Sequence, residues 1–376
     1  MRVALVHYWL VGMAGGEKVL ESLCRLYPDA DIFTHALDRT AISPTIAAHD
    51  ITTTFIDRLP RSNKYYKKYL PLMPLALEQL DLTPYDLVIS SESGPAKGVV
   101  TRSDALHVCY CHTPMRYLWD HWRDYFDNAG LASRLGMRLF LPYLRRYDVT
   151  SAFRVDHFVA NSRTVAARIH KHWRRDAAVV YPPVDVTHFQ PRTAADSEDY
   201  YLCLGRLIRY KRTDLAVEAC TQLDRPLIVI GAGEEDSRLR ALAGPKIRFL
   251  GRQDDATVKH YLARCRALLF PGEEDFGIVP VEAAASGVPV IAFGRGGATE
   301  TVCDSVTGLF FREQSVDALR EAILAFEGME GHFVPTILAQ HAAQFSEERF
   351  QEQFKAEVVQ AQAKLEQRLR GGQYAP

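Results

Sequence analysis

The chain of 376 residues predicts an α/β protein made of two halves, each a parallel sheet covered by helices on both faces. Three observations carry that expectation. Short apolar runs alternate with segments of helical periodicity along most of the chain, the pattern of repeated βαβ units. Several runs end in glycine-rich turns that open a helix. Near the middle, Tyr181-Pro182-Pro183-Val184-Asp185, followed by Phe189-Gln190-Pro191, breaks regular structure and marks a domain boundary.

Composition sets the outer bounds. With 47% hydrophobic and 24% charged residues the chain is long enough for two domains of ~150 to 200 residues each. The net charge of -1 gives no global pull toward nucleic acid. The seven cysteines include no C-x2-C pair, and an odd count without metal spacing favours a reducing compartment. The opening MRVALVHYWLVG has too short an apolar run for a signal peptide, and no window approaches the ~18 apolar residues of a membrane span. A cytoplasmic protein, free or held peripherally on a membrane, is the expectation.

In the first half, Val3 to His7 reads as a buried strand, followed by Gly12, Gly15 and Gly16 and by a helix over Glu17 to Leu26. Strand, glycine loop and helix is an arrangement that holds phosphate, although the spacing is not the G-x-G-x-x-G of dinucleotide binding. Ile51 to Ile56, Asp86 to Ser90, Leu106 to Cys111 and His157 to Ala160 read as further strands. Asp29-Ala30-Asp31 has the form of a D-x-D metal motif, but it sits at a turn before a strand, so the metal reading is set aside. His112 closes the strand Leu106 to Cys111, and strand C-termini are where such sheets place their sites. Asn161-Ser162 before a helix reads as an N-cap.

Two stretches of this half combine basic and aromatic residues. Arg58 to Leu80 carries Arg58, Arg61, Lys64, Lys67 and Lys68 among Tyr65, Tyr66 and Tyr69. Leu131 to Tyr147 carries Arg134, Arg138, Arg145 and Arg146 among Leu, Met, Phe and Tyr. Such segments suit an anionic membrane surface; a solvated helix face with tyrosines packed inside is the plainer alternative.

In the second half, Tyr200 to Leu204 reads as a strand and Gly205-Arg206-Leu207-Ile208-Arg209-Tyr210-Lys211 as the turn into a helix. Arg206 and Lys211 on one turn can neutralise one diphosphate, the first as a fork and the second as a point charge. Pro226 to Gly231 and Ile247 to Gly251 follow as strands. Gly231-Ala232-Gly233 lacks the third glycine of a dinucleotide fingerprint. Then comes FPGEEDFGIVPVEAAASGVPVIAFGRGGATET, Phe270 to Thr301. Its glutamates Glu274 and Glu282 stand in an E-x7-E spacing. Gly277 and Pro280 between them put Glu274 on a loop and Glu282 in the first turn of a helix that Gly287 ends. A carboxylate accepts from two neighbouring hydroxyls at once, and loop amides hold phosphate oxygens, so this stretch suits a polyol beside a phosphate. Two solvated glutamates at a helix start are the ordinary alternative.

On these residues the chain resembles the retaining glycosyltransferases of family 4, of the fold called GT-B. The resemblance rests on the E-x7-E stretch with Phe276-Gly277-Ile278 and Glu282-Ala283-Ala284-Ala285-Ser286-Gly287, on the G-R-L-x-x-x-K pattern at Arg206 and Lys211, and more loosely on Gly15-Gly16, His112 and Phe345 to Phe350. It implies two Rossmann-like domains facing across a cleft: residues 1-183 on the acceptor side, residues 184-349 on the nucleotide-sugar side, and a C-terminal helix of about 350-376 crossing back. It further implies Arg206 and Lys211 at the donor diphosphate and Glu282 at the ribose diol. Glu274 and the Phe276, Gly277, Ile278 and Val279 segment would meet the sugar hydroxyls, Gly15 and Gly16 the donor, and His112 the transferred sugar. No metal and no further cofactor is implied. Within the family, HYWLVGMAGGEKVLE and HTPMRYLWD look most like bacterial surface-polysaccharide enzymes, often mannosyltransferases that use GDP-mannose and a lipid-linked saccharide acceptor. A nucleotide-sugar epimerase of the same architecture and a non-catalytic sugar-nucleotide-binding scaffold are the rival readings.

Overall fold

Among the described residues, thirteen segments form parallel strands, seven in one sheet and six in another. In the computed structural model, which describes residues 1–120, 122–127, 130–193 and 197–372, the chain divides into two units. One comprises Met1–Pro183 together with the chain from Phe350 onward, and the other Val184–Arg349.

The sheet of the first unit holds β1 (Val3–His7), β2 (Asp31–Thr34), β3 (Ile51–Thr53), β4 (Leu87–Glu92), β5 (Leu106–Cys111), β6 (His157–Ala160) and β7 (Ala178–Val179). Their order is β3-β2-β1-β4-β5-β6-β7, every neighbouring pair parallel. The chain winds outward from β1 in one direction and from β4 in the other. The crevice at their carboxyl ends is where a doubly wound sheet binds its ligand. β1, β4 and β5 are fully buried, which is why β1, β5 and the first half of β4 read as near-continuous apolar runs rather than alternating ones.

The last helix, Glu347–Gly372, explains why the first unit needs the end of the chain. Phe350, Phe354, Val358, Ala361 and Leu365 recur at helical spacing and are buried in the same cluster as Leu5, Ile89, Val108 and Tyr110. Tyr110 meets Phe350 and Phe354 edge-on at 5.5 and 6.0 Å between ring centroids. Of the helix expected over about 350-376, positions 373–376 lie outside the described residues.

Beside this sheet lies a buried charge cluster that patterning did not announce. Lys97, 1% exposed, reaches Glu92 at 3.2 Å and Asp148 at 2.5 Å. The indole N–H groups of Trp119 and Trp173 both donate to Asp148 Oδ2 at 2.8 Å. Glu92 Oε2 accepts from the backbone N–H groups of Ala96 and Lys97 at 2.8 Å each, pinning the loop that leaves β4. Each charge is partnered, the condition under which burial is tolerated.

Three local expectations shift. The first helix is Gly15–Leu26 rather than Glu17 to Leu26, because Glu17 reaches back to accept from Ala14 N–H at 3.0 Å and caps the turn that contains both glycines. The run Ile51 to Ile56 is strand only to Thr53; Thr54 then caps a 3₁₀ turn, Phe55–Arg58. The basic stretch from Arg58 to Leu80 is no single amphipathic helix but short turns, Ser62–Tyr65, Tyr66–Leu72 and Met73–Glu78, with Pro71 inside the second. The other basic stretch lies on one helix, Leu131–Ser151. The D-x-D pair is occupied structurally at Asp31, which accepts from the Tyr85 hydroxyl at 2.6 Å and from Arg2 at 3.4 Å.

The sheet of the second unit holds β8 (Tyr201–Leu204), β9 (Leu227–Ile230), β10 (Ile247–Gly251), β11 (Leu268–Phe270), β12 (Val290–Phe293) and β13 (Gly308–Phe311). Their order, β10-β9-β8-β11-β12-β13, again is parallel throughout and again turns outward from a central pair, β8 and β11.

Candidate active site

The second unit's site is assembled where β8 and β11 end. A pocket of about 310 Å³ there is lined by Gly205, Arg206, Lys211 and Thr213 from the turn after β8 and by Gly272 and Glu274 from the turn after β11. Arg206 and Lys211, neighbours on one turn, therefore share a wall with Glu274, which lies far from both in sequence. Lys211 Nζ donates to Glu274 Oε1 at 2.6 Å, both side chains about one-fifth exposed. Arg206 is exposed at the mouth. Thr213, the first residue of helix Thr213–Gln222, is buried in the lining and was not singled out from sequence; its signal was its place directly after the cationic turn.

Glu274 is held from two sides. Its backbone carbonyl accepts from Gly297 N–H at 2.8 Å. Gly297 has to be glycine: a Cβ there would lie 2.2 Å from Phe276 Cα. The glycine-rich loop Gly294 to Gly297 thus packs on the acidic one. Gly277, at φ +93°, caps helix Ile278–Ala285 in a conformation glycine adopts freely. This early start corrects the placement of Glu282. It is the fifth residue of that helix and lies beyond the first turn, while Pro280 takes the third position, where a missing N–H costs little. Phe276 and Gly277 are buried, and Ile278, Val279 and Glu282 partly so. Glu282 does not line the pocket that holds Lys211.

In the first unit, Gly15, Gly16 and His112 surround the carboxyl ends of β1, β4 and β5. A Cβ on Gly16 would lie 2.1 Å from the Tyr8 hydroxyl oxygen and 3.6 Å from His112 Nε2, so the glycine lets the helix start close over both rings. Burial, and after it the neighbouring His7, lowers the pKa of His112 to about 3, which keeps the imidazole neutral. His112 Nε2 lies 2.8 Å from Ser91 Oγ, and Ser91 Oγ lies 3.0 Å from His7 Nδ1. Neither His7 nor Ser91 stood out in the sequence: His7 closes the apolar run Val3 to His7, and Ser91 lies one residue past the run Asp86 to Ser90. Asn161-Ser162 is a cap as expected, with Ser162 Oγ accepting from Val165 N–H at 3.1 Å.

Among the described residues no group of three His, Cys, Asp or Glu side chains is placed to hold a metal ion. No described helix is long and apolar enough to cross a membrane.

The comparisons with known proteins agree with this layout. The profile described as glycosyltransferase family 4 matches residues 13–188, and that described as glycosyl transferases group 1 matches residues 185–347. A GDP-mannose-dependent monoacylated alpha-(1-6)-phosphatidylinositol monomannoside mannosyltransferase of Corynebacterium glutamicum is 33% identical over 38% of this chain and 44% of its own length. A D-inositol 3-phosphate glycosyltransferase of Mycobacterium bovis is 27% identical over 65% of this chain and 57% of its own. The chain thus spans about half the length of the curated relatives it matches. The crystal structure of Anabaena Alr3699/HepE in complex with UDP-glucose has a TM-score of 0.69 at 17% identity, covering 96% of this chain and all of that one. Sucrose-phosphate synthase from Thermosynechococcus elongatus gives 0.70 at 18%, with 97% and 100% covered. Two family profiles that together run from residue 13 to residue 347, over two doubly wound parallel sheets of GT-B type, place the chain in the family 4 glycosyltransferases.

Proposed function

We propose that this chain is a retaining glycosyltransferase that moves a sugar from a nucleotide-sugar donor, mannose from GDP-mannose in the fullest form of the reading, to a lipid-linked saccharide in surface-polysaccharide synthesis. The observation that carries it is the convergence of Arg206, Lys211 and Glu274 on one pocket at the topological switch of the second sheet. The sugar and acceptor follow from the relatives' names and the sequence resemblance.

The physical task is to stabilise a departing diphosphate. Negative charge grows on the leaving oxygen as the bond to the sugar's anomeric carbon breaks, and fixed cations aimed at it lower the barrier. Arg206 and Lys211 fill that role. Lys211 has three N–H donors and gives one to Glu274, so its ammonium is held in place with donors to spare for phosphate oxygens. Retention follows if the leaving phosphate takes the acceptor hydroxyl's proton on the face it departs from. Glu282 is assigned to the ribose diol. Glu274 and the backbone amides over Phe276, Gly277, Ile278 and Val279 are assigned to the sugar hydroxyls, Gly15 and Gly16 to the donor, and His112 to the transferred sugar. In this reading the side-chain cations do the work that a metal does elsewhere, and no cofactor beyond the donor takes part.

The acceptor reading places the protein in the cytoplasm, peripherally on the inner face of a membrane. Its support is local: Arg58, Arg61, Lys64, Lys67 and Lys68 are all exposed. On helix Leu131–Ser151 the row Leu135, Leu139, Phe140 and Tyr143 is exposed, Leu135 by 71%, beside Arg138 and Arg146. An apolar row flanked by cations suits a headgroup boundary.

A panel of GDP-, UDP- and ADP-sugars read by thermal unfolding tests the donor. A bound donor stabilises the folded state by ~2.7 kcal/mol at one hundred times its Kd, and GDP-mannose is expected to give the largest rise. No rise with any donor sinks the reading. Binding with an intact donor and no transfer favours the scaffold, and an epimerised sugar released without acceptor favours the epimerase.

A further inference from the structure

At the switch point of the first sheet, a row of polar side chains leads from the first helix to His112. His7 on β1 stands in register with Ser91 on β4. His7 Nδ1 is 3.0 Å from Ser91 Oγ, and Ser91 Oγ is 2.8 Å from His112 Nε2. On the other edge of the His7 ring, Nε2 is buried with no hydrogen-bond partner and faces Glu17 Oε1 at 3.8 Å. The second oxygen of Glu17 accepts from Ala14 N–H. Glu17, His7 and Ser91 are 5%, 1% and 1% exposed. Three polar side chains are thus buried in a line, and the donor and acceptor roles along it are coupled.

For a neutral His7 ring, the carboxylate decides the direction. A lone pair on His7 Nε2 would face the Glu17 oxygen and be repelled by it, whereas an N–H is attracted, the more strongly because the site is dry. With its proton on Nε2, neutral His7 has a bare Nδ1, so the Ser91 hydroxyl donates to it. The Ser91 oxygen then accepts, and His112 Nε2 is the donor. That leaves His112 Nδ1 without a proton, and Nδ1 has no partner among the described residues.

We propose that Glu17, His7 and Ser91 are positioning residues that form a one-way hydrogen-bond chain, holding His112 as its Nε2–H tautomer so that Nδ1 offers an acceptor to a hydroxyl of the bound sugar. This rests on the assignment of His112 to the transferred sugar. It adds a specificity: the group at that position of the sugar must be a hydrogen-bond donor, and a sugar whose hydroxyl there is replaced by fluorine or hydrogen loses the contact. The low pKa of His112 is consistent with a ring that stays neutral throughout.

Glu17→Gln tests the direction without changing the shape. The Ala14 N–H still demands an acceptor, so the glutamine oxygen takes it and the amide N–H₂ turns to His7 Nε2. His7 then carries its proton on Nδ1 and donates to Ser91. Ser91 donates to His112 Nε2, and His112 takes its proton on Nδ1. The readout is the long-range ¹H–¹⁵N spectrum of the full chain labelled at histidine, with His112 assigned by its loss in His112→Gln. The expected result is Nε2–H in the natural sequence and Nδ1–H in Glu17→Gln. The double variant Ser91→Ala/Glu17→Gln is expected to match Ser91→Ala alone, because the link is cut. Turnover in Glu17→Gln is expected to fall about 10- to 100-fold, the size of an acceptor turned into a donor, with donor KM little moved. The same His112 tautomer in the natural sequence and in Glu17→Gln overturns the proposal. A tautomer that reverses with turnover unchanged upholds the chain and overturns the assignment of His112 to the sugar.

Discussion

Lys211 Nζ lies 2.6 Å from Glu274 Oε1, although 62 residues separate the two in the chain. The pair ties the turn after β8 to the turn after β11 and sets both on the rim of one pocket. It also makes the two assignments interdependent: Glu274 orients the ammonium, and whatever anion binds there competes with Glu274 for it.

Lys211→Ala and Arg206→Ala are each expected to lower turnover about 100-fold or more, the usual scale for fixed charge at a leaving group. Neither side chain is buried in the core, so the thermal midpoint is expected to stay close to that of the natural chain. Steady-state rates with GDP-mannose check this, and turnover within a few-fold of normal removes the diphosphate assignment.

Glu282→Ala is expected to weaken donor binding by roughly 1 to 3 kcal/mol, the cost of leaving a diol unpaired. Calorimetry reads the loss directly. Glu282→Asp separates reach from charge, since the shorter side chain keeps the carboxylate and withdraws it from the second turn of the helix.

Phe354→Ala is expected to cost the first unit about 3 to 5 kcal/mol. The ring is fully buried and stacks on Phe350 at 5.7 Å between centroids while also meeting Tyr110. Urea unfolding followed by tryptophan fluorescence measures it, and a loss below about 1 kcal/mol would mean that the last helix is peripheral to that core.

Acid is expected to weaken the first unit through His35 and His107. Burial lowers the pKa of each from 6.5 to about 4. Both rings are satisfied as neutral groups, His35 by Thr54 and the Pro95 carbonyl, and His107 by Ser90 and the Arg154 carbonyl. Because the folded pKa values are depressed, the unfolded chain binds more protons between pH 6.5 and 4. Stability is complete above that window and falls as pH drops through it, by at most ~1.4 kcal/mol per pH unit for each histidine. Urea midpoints across the window check the slope, and His35→Gln is expected to flatten it.

Membrane docking is expected to require anionic lipid. Each cation near such a surface contributes about 1 kcal/mol, and the attraction decays within a Debye length. Co-sedimentation with vesicles should fall with salt and weaken when Lys64, Lys67 and Lys68 become glutamine. Equal partitioning to neutral vesicles rules the patch out as the contact.

Much of the fold was legible because buried parallel strands leave continuous apolar runs: Val3–His7, Leu106–Cys111 and His157–Ala160 stand where patterning put them. Arg206, Lys211 and Glu274 were legible because each follows a strand end, where doubly wound sheets gather their sites. What patterning hid is polar and inside. His7, Ser91, Lys97 and Glu92 lie in or beside apolar runs, and only the register of β1, β4 and β5 brings them to their partners. Helix starts moved for a related reason. The reach of Glu17 back to Ala14 and the left-handed Gly277 decide where the first turns begin, and neither leaves a periodic trace.

The buried row from Phe350 to Leu365 has a consequence for how the protein is made. On the ribosome, β1 to β7 emerge first, yet the apolar face that Phe350, Phe354 and Val358 cover stays open until the whole of Val184–Arg349 has been synthesised. At ~5 to 20 residues per second the intervening segment takes roughly ten to thirty seconds. When that segment is complete, the second sheet has every one of its strands and the first still lacks the row that begins at Phe350. The unit that holds β1 to β7 is therefore completed only after the second, and loss of the helix from Phe350 onward is expected to spoil the first unit while leaving the pocket of the second intact.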